Sequence, residues 1–143
     1  MTNPNPLCRG LLSLTLLVVG CTSTSAVPAA GGGAVTSQVT GSVTYRERIA
    51  LPPTAVVTVR LVDVSLADAP SVLITEQVIR TEGRQVPFEF ALAYDASRIL
   101  PSHTYAVQVR IENGGKLLFI SDTMYPVITR DAPSRVDIVL RRV

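Results

Sequence analysis

Side chains able to do covalent chemistry are few and widely spaced in this 143-residue chain. His103 is its single histidine and stands in a predicted turn, so the pattern does not indicate a Ser–His–Asp or Cys–His arrangement. The 11 Asp and Glu residues occur singly rather than clustered as metal sites require. Spacing leaves a paired-carboxylate hydrolase open, since such pairs form in space. The sequence favours a protein that is not an enzyme and has no cofactor, metal or small-molecule substrate.

Both cysteines, Cys8 and Cys21, lie near the start of the chain. An apolar run from Gly10 to Val19 follows Arg9, and its length is about half of what a membrane-spanning helix needs. A short apolar run with a basic flank is typical of a signal peptide. The run ends in Val18-Val19-Gly20-Cys21, which resembles the lipobox of bacterial lipoproteins. The resemblance implies cleavage of residues 1–20 and lipid on Cys21; an ordinary secretory signal with a coincidental cysteine is the alternative.

Residues 21–37 are predicted to be a lipidated flexible tether, because their Ser, Thr, Ala and Gly side chains cannot form a core. Thr22 replaces the Asp that retains such proteins in the inner membrane, which implies the periplasmic leaflet of the outer membrane. The net charge is +2, and Arg9 would leave with the signal peptide. So small a charge argues against a nucleic-acid partner.

Residues 38–143 are predicted to be one all-β domain, because β-branched residues alternate with polar ones and turn residues recur regularly. The pattern predicts seven or eight strands and one helical turn after Asp95. Strands are expected at 38–48, 55–64, 72–81, 86–94, 104–112, 116–121 and 135–142, and 125–127 is expected to continue the strand of 116–121 irregularly. Gly41 is expected to form a bulge, and Asn113-Gly114-Gly115 a hairpin turn, because Asn-Gly readily takes positive φ at both turn positions.

Seven or eight short strands in about a hundred residues are typical of an antiparallel β-sandwich. The segment from Leu100 to Val107 resembles the entry into strand F of immunoglobulin-like and fibronectin type III domains. In those domains a tyrosine hydroxyl bonds back to the preceding loop, and Tyr105 would be that residue. The alternative is an ordinary core tyrosine.

The segment from Gly41 to Val143 also resembles the YbaY-like family of bacterial lipoproteins, which is grouped with the YscW-type lipoprotein chaperones, or pilotins, of type III secretion. The resemblance implies a β-sandwich and leaves activity open, since fold alone does not define function. It is carried by residues 45–53 (YRERIALPP), 61–65 (LVDVS), 67–70 (ADAP), 87–90 (PFEF), 104–107 (TYAV), 117–119 (LLF), 122–123 (DT) and 125–127 (YPV).

Two motifs are candidates for a surface role. Tyr45, Arg46, Glu47 and Arg48 end the first strand, with the arginines on the face opposite Tyr45 and Glu47. They form either a protein-binding patch, on a strand expected at a sheet edge, or a charged face that discourages edge pairing. Asp122-Thr123 is expected to satisfy backbone donors where the chain changes strand.

We therefore expect an outer-membrane-anchored binding or chaperone module of pilotin type, with a secretion-system or envelope protein as its client. The alternative is a structural or stress-related envelope lipoprotein without a single client.

Overall fold

The computed structural model describes residues 36–143, and the predicted signal peptide, Cys21 and most of the tether lie outside them. Residues 36–143 contain no helix long and apolar enough to cross a membrane. One 3₁₀ turn, Ala96–Arg98, lies where a helical turn was expected. The strands are β1 (Thr36–Tyr45), β2 (Val56–Asp63), β3 (Val72–Arg80), β4 (Phe88–Asp95), β5 (Tyr105–Asn113), β6 (Lys116–Ile120), β7 (Tyr125–Val127) and β8 (Arg135–Arg142).

Alternation along the strands produces the core, as predicted. In β2, Val57, Val59 and Leu61 are completely buried, while Arg60 between them is half-buried on the outer face. In β4 the buried residues Phe88, Phe90 and Leu92 alternate with exposed Glu89, Ala91 and Ala93. Because successive side chains of a strand point to opposite faces, each strand contributes one row to a shared apolar interior.

The strands form one strongly curved sheet instead of the predicted immunoglobulin-like sandwich. The order is β3-β2-β5-β6-β8-β1-β4, with β7 also paired to β5. The free edges of β3 and β4 meet, since the Ala91 N–H donates to Gln77 Oε1 across them at 2.9 Å. The sheet is therefore nearly closed as a barrel. It is also not wholly antiparallel, because β1 and β8 run parallel.

The first strand is not an edge, which corrects the sequence expectation. β1 lies between β4 and β8 and pairs with both. Gly41 forms no bulge: it pairs in register with Phe90 and Val136. A Cβ at Gly41 would collide with the Val136 carbonyl oxygen and the Phe90 ring. Glycine is needed at this position because the three strands β1, β4 and β8 approach one another closely.

Two turns hold the strands in register. Gly114 and Gly115 have positive φ in the β5–β6 hairpin and lie within the predicted turn Asn113-Gly114-Gly115. Asn113 itself still pairs with Lys116, so positive φ begins one residue later than expected. Before β5, the Tyr105 hydroxyl accepts the N–H of Leu100 at 3.0 Å. The hydrogen bond expected of a tyrosine corner is thus present, although it stabilises a barrel instead of a sandwich.

Strand directions define two ends of the barrel. We call the end where β1 begins the lower end; there Thr36 pairs with Asp95, and β3 and β5 both begin opposite Asp63. The upper end holds the last residues of β1 and β8 and the β5–β6 hairpin. A strand of ten residues spans roughly 33 Å, which is about the separation of the two ends.

Candidate functional site

The chain leaving β1 separates the four residues of the predicted binding patch. Tyr45 is 7% exposed, and its ring stacks on Phe119 with centroids 4.3 Å apart. Its hydroxyl donates to the Ile49 carbonyl at 2.7 Å, which folds the following loop back over the ring. Tyr45 is therefore a core residue and offers no surface to a client. Arg46 and Arg48 are exposed, in agreement with the predicted opposite face.

Arg46 and Glu47 line an open groove of about 380 Å³ at the upper end of the barrel. Parallel pairing of Tyr45 with Leu140 places the residue after β1 beside Arg141. Asp122 and Thr123, between β6 and β7, and Tyr125, the first residue of β7, reach the same groove. The two motifs singled out in the sequence thus meet in one place, which we call the upper groove.

Charges in the upper groove are only partly compensated. Arg141 lies 3.5 Å from Asp122, and both side chains are largely exposed, so this ion pair contributes little stability. Within residues 36–143, Arg46, Arg48 and Arg142 make no ion pair. Of these three arginines only Arg46 lines the groove, so it leaves one unpaired guanidinium there, which suits a carboxylate or another acceptor.

Glu47 contributes a carboxylate oxygen, Oε2, that is buried and finds no hydrogen-bond donor among residues 36–143. An unpaired buried acceptor costs free energy, which a donor brought by a bound molecule can offset. Glu47 also acts on its neighbour: burial raises the pKa of the Tyr45 hydroxyl, and the Glu47 carboxylate raises it further.

Asp122 and Thr123 are joined by a hydrogen bond from the Thr123 hydroxyl to Asp122 Oδ1 at 3.2 Å. The hydrogen bonds where the chain leaves β6 come from Ser121. Its Oγ accepts the Val109 N–H at 3.0 Å, and its own N–H donates to the Val109 carbonyl at 2.9 Å. The predicted satisfaction of backbone donors thus falls one residue earlier, on Ser121.

Tyr125 closes a gap in the sheet that sequence analysis did not identify. Beyond its two pairs with β6, the outer edge of β8 has no strand partner in the described part of the chain. The Tyr125 hydroxyl fills the place of one, since it accepts the Val139 N–H at 3.1 Å and donates to the Val139 carbonyl at 3.2 Å. One phenol thereby satisfies both backbone groups of a residue at the wall of the groove.

His103 belongs to a second cluster, at the lower end. Its Nδ1 lies 2.6 Å from Asp63 Oδ2, and the Ser65 hydroxyl donates to Asp63 Oδ1. Asp63 thus stands between Ser65 and His103, whereas nucleophile activation needs the imidazole between serine and carboxylate. Ser65 Oγ also accepts the Thr104 N–H at 2.9 Å, so the cluster ties together the loops after β2 and before β5.

Residues 36–143 contain no group of three His, Cys, Asp or Glu side chains able to hold a metal ion. The fold and the groove define a class: a small β-barrel domain that offers charge, hydrogen bonds and an interrupted sheet edge for non-covalent contacts.

Comparison with known proteins narrows that class. Residues 34–140 match the family model of the type III secretion system lipoprotein chaperone (YscW), so the chain belongs to this family. The family resemblance seen in the sequence is confirmed.

Two relatives agree with that assignment. The chain is 42% identical over 102 residues to the uncharacterized lipoprotein YbaY of Escherichia coli (strain K12). The match covers 71% of this chain and 53% of that relative, so it spans about half the relative's length. The solved structure of an alternative pilotin from the type II secretion system of Vibrio cholerae is 57% identical, with a TM-score of 0.73, and the match covers 76% of this chain and 97% of that one.

Proposed function

We propose that this protein is a pilotin-like module, anchored by lipid on Cys21 to the periplasmic leaflet of the outer membrane, that holds a segment of a secretion or envelope protein. The observation that carries the proposal is the 57% identity to a type II secretion pilotin across 97% of that chain. Family membership supports the same class of function. Lipid attachment at Cys21 rests on the lipobox resemblance.

The upper groove is the surface we propose for the client. Three features support it: the exposed Arg46 side chain, a buried Glu47 oxygen without a donor, and the interrupted outer edge of β8. Arg48, two residues further along the chain, is exposed as well. An extended client segment that displaces the Tyr125 hydroxyl from Val139 could add main-chain hydrogen bonds along that edge, as in other cases of strand addition. The surrounding arginines favour a client segment that carries acidic or polar side chains.

A charge-reversal variant tests this surface. Arg46→Glu with Arg48→Glu should leave the thermal melt close to wild type, because exposed substitutions usually change stability by about 0.5 kcal/mol or less. The same variant should lose most of its crosslinked client, since both reversed charges would repel acidic groups. The measurement is a pulldown from crosslinked cell envelopes, quantified by mass spectrometry.

The matched control is Arg98→Glu with Arg135→Glu, which makes the same change of net charge near the lower end. The control should retain the client. If both variants fold and retain one dominant client, the upper groove is not the binding surface. If wild-type protein captures only a diffuse background, the alternative of a structural envelope lipoprotein without a single client replaces the pilotin proposal.

A further inference from the structure

Large apolar side chains are exposed at the lower end of the barrel. Leu66 is 67% exposed, Val72 58% and Leu73 48%, in the loop after β2 and the start of β3. Leu100, in the loop before β5, is 50% exposed. Single exposed apolar residues are common, but several at one end of a small domain are typical of an interaction surface.

The chain enters the barrel at this same end. Thr36, the first residue of β1, pairs with Asp95 there. Cys21, the proposed site of lipid attachment, precedes Thr36 by 15 residues. Fully extended, that length of chain reaches at most about 50–54 Å, so the anchor keeps the lower end within that distance of the bilayer.

Charged side chains at the two ends of the barrel differ in how many have a partner. At the lower end Asp63 is paired with His103, Asp95 Oδ1 accepts both the N–H and the hydroxyl of Ser97, and Arg130 donates to the Ser102 carbonyl. At the upper end Arg46, Arg48, Lys116 and Arg142 make no ion pair within residues 36–143. Asp68, Arg98 and Asp131 at the lower end also make no ion pair within residues 36–143, so moving that end towards lipid strips water from three unpaired charges, against the four just named at the upper end.

From these observations we propose that the lower end docks on the periplasmic face of the bilayer, with Leu66, Val72 and Leu100 inserted shallowly among lipid headgroups. The inference rests on the proposed lipid anchor at Cys21. Apolar insertion adds to anchoring by acyl chains, because binding strength rises with the apolar area buried at the interface. Docking in this way directs the upper groove away from the membrane, towards a client.

Site-specific fluorescence tests the inference on the full-length lipidated protein. Cys8 would be cleaved and Cys21 acylated, so one introduced cysteine is the sole thiol available for labelling. Leu66→Cys, Leu100→Cys and the upper-end control Lys116→Cys are labelled with an environment-sensitive dye. The proteins are reconstituted in phosphatidylethanolamine–phosphatidylglycerol vesicles carrying a nitroxide on the lipid headgroup.

We expect blue-shifted emission and severalfold stronger nitroxide quenching at positions 66 and 100 than at position 116. Adding Leu100→Asp to the Leu66→Cys protein should return the emission at position 66 towards that of the control, with an unchanged thermal melt.

Three results would overturn the inference. Equal, weak quenching at all three positions in vesicle-bound protein would mean that the domain does not touch the bilayer. A blue shift without quenching would assign this end to a second copy of the chain. Wild-type protein that takes up no palmitate and behaves like Cys21→Ser would remove the anchor, and the proposed membrane attachment would fail with it.

Discussion

At the scale of single residues, hydroxyl groups of tyrosine replace backbone partners at three places. Tyr45 donates to the Ile49 carbonyl, Tyr105 accepts the Leu100 N–H, and Tyr125 bonds both groups of Val139. Each ring is anchored in or against the core, so the polar tip reaches a fixed position in a loop or strand edge.

Tyr105→Phe should lower the free energy of unfolding by about 1 kcal/mol, because the Leu100 N–H loses its acceptor while the ring keeps its packing. Urea denaturation measures the loss. Tyr94→Phe is the matched control, since the Tyr94 hydroxyl makes no hydrogen bond within residues 36–143. Equal stability of the two variants would mean that the Tyr105 hydroxyl contributes nothing.

Asp63 makes the stability of the fold depend on pH in the acidic range. Partial burial opposes its ionisation, but hydrogen bonds from Ser65 and His103 outweigh that effect and lower the pKa of Asp63 below its ordinary value. The folded-state pKa of Asp63 lies below the unfolded-state value of about 3.9. Ionised Asp63 therefore stabilises the fold fully above the unfolded-state pKa, and this stabilisation is lost as pH falls through the folded-state pKa.

Asp63→Asn should therefore lower stability at neutral pH and make the decline in stability below about pH 4 less steep. Chemical denaturation at a series of pH values measures both effects. Asp68→Asn, in the exposed loop after β2, should change neither. A wild-type acid profile in Asp63→Asn would show that the cluster with His103 does not stabilise the fold.

At the scale of elements, side chains supply hydrogen bonds to strand edges at two places where strands do not pair. Gln77 bridges β3 and β4 through the Ala91 N–H, and Tyr125 occupies the outer edge of β8. Unpaired strand edges attract other chains, so these side chains also limit unwanted association. The β8 edge is the more accessible of the two to a client, because it borders the upper groove.

Tyr125→Phe should cost about 1–2 kcal/mol, since the N–H and carbonyl of Val139 both lose a partner. Hydrogen exchange followed by NMR should show faster exchange of the Val139 amide in the variant than in the wild type. The β8 amides that pair with β1 serve as the internal control and should keep their rates relative to global unfolding. An unchanged Val139 rate would mean that the hydroxyl does not protect this edge.

At the scale of the whole molecule, the barrel is held by one core, in which β1, β4 and β8 pack closely at Gly41. The Phe90 ring packs where a Gly41 side chain would stand, and Phe90 is 4% exposed. Phe90→Ala should cost about 3–5 kcal/mol, through lost apolar burial and the cavity left beside Gly41.

Thermal and urea unfolding monitored by circular dichroism measure that loss, with Ala93→Ser on the exposed face of β4 as a near-neutral control. A helical spectrum, or indifference of stability to the loss of the Phe90 ring, would contradict the topology.

The sequence by itself determined the strands and their buried faces. Alternation is a local property, since it follows from the backbone of one strand, and the predicted strand of 135–142 agrees with β8. The opposite faces of Tyr45 and Arg46 followed from the same rule. The hydrogen bond of Tyr105 was expected from the resemblance of residues 100–107 to the entry into strand F of immunoglobulin-like domains.

Tertiary structure alone decided how the strands close and which residues meet. The parallel pairing of β1 with β8 joins partners as far apart as Ser42 and Asp137, 95 positions along the chain. That pairing turns an expected sandwich with β1 at its edge into a near-closed barrel, and it brings Arg46 to Arg141 and Asp122. Local periodicity carries no information about such pairings, because any strand with an apolar face can bury it against several others.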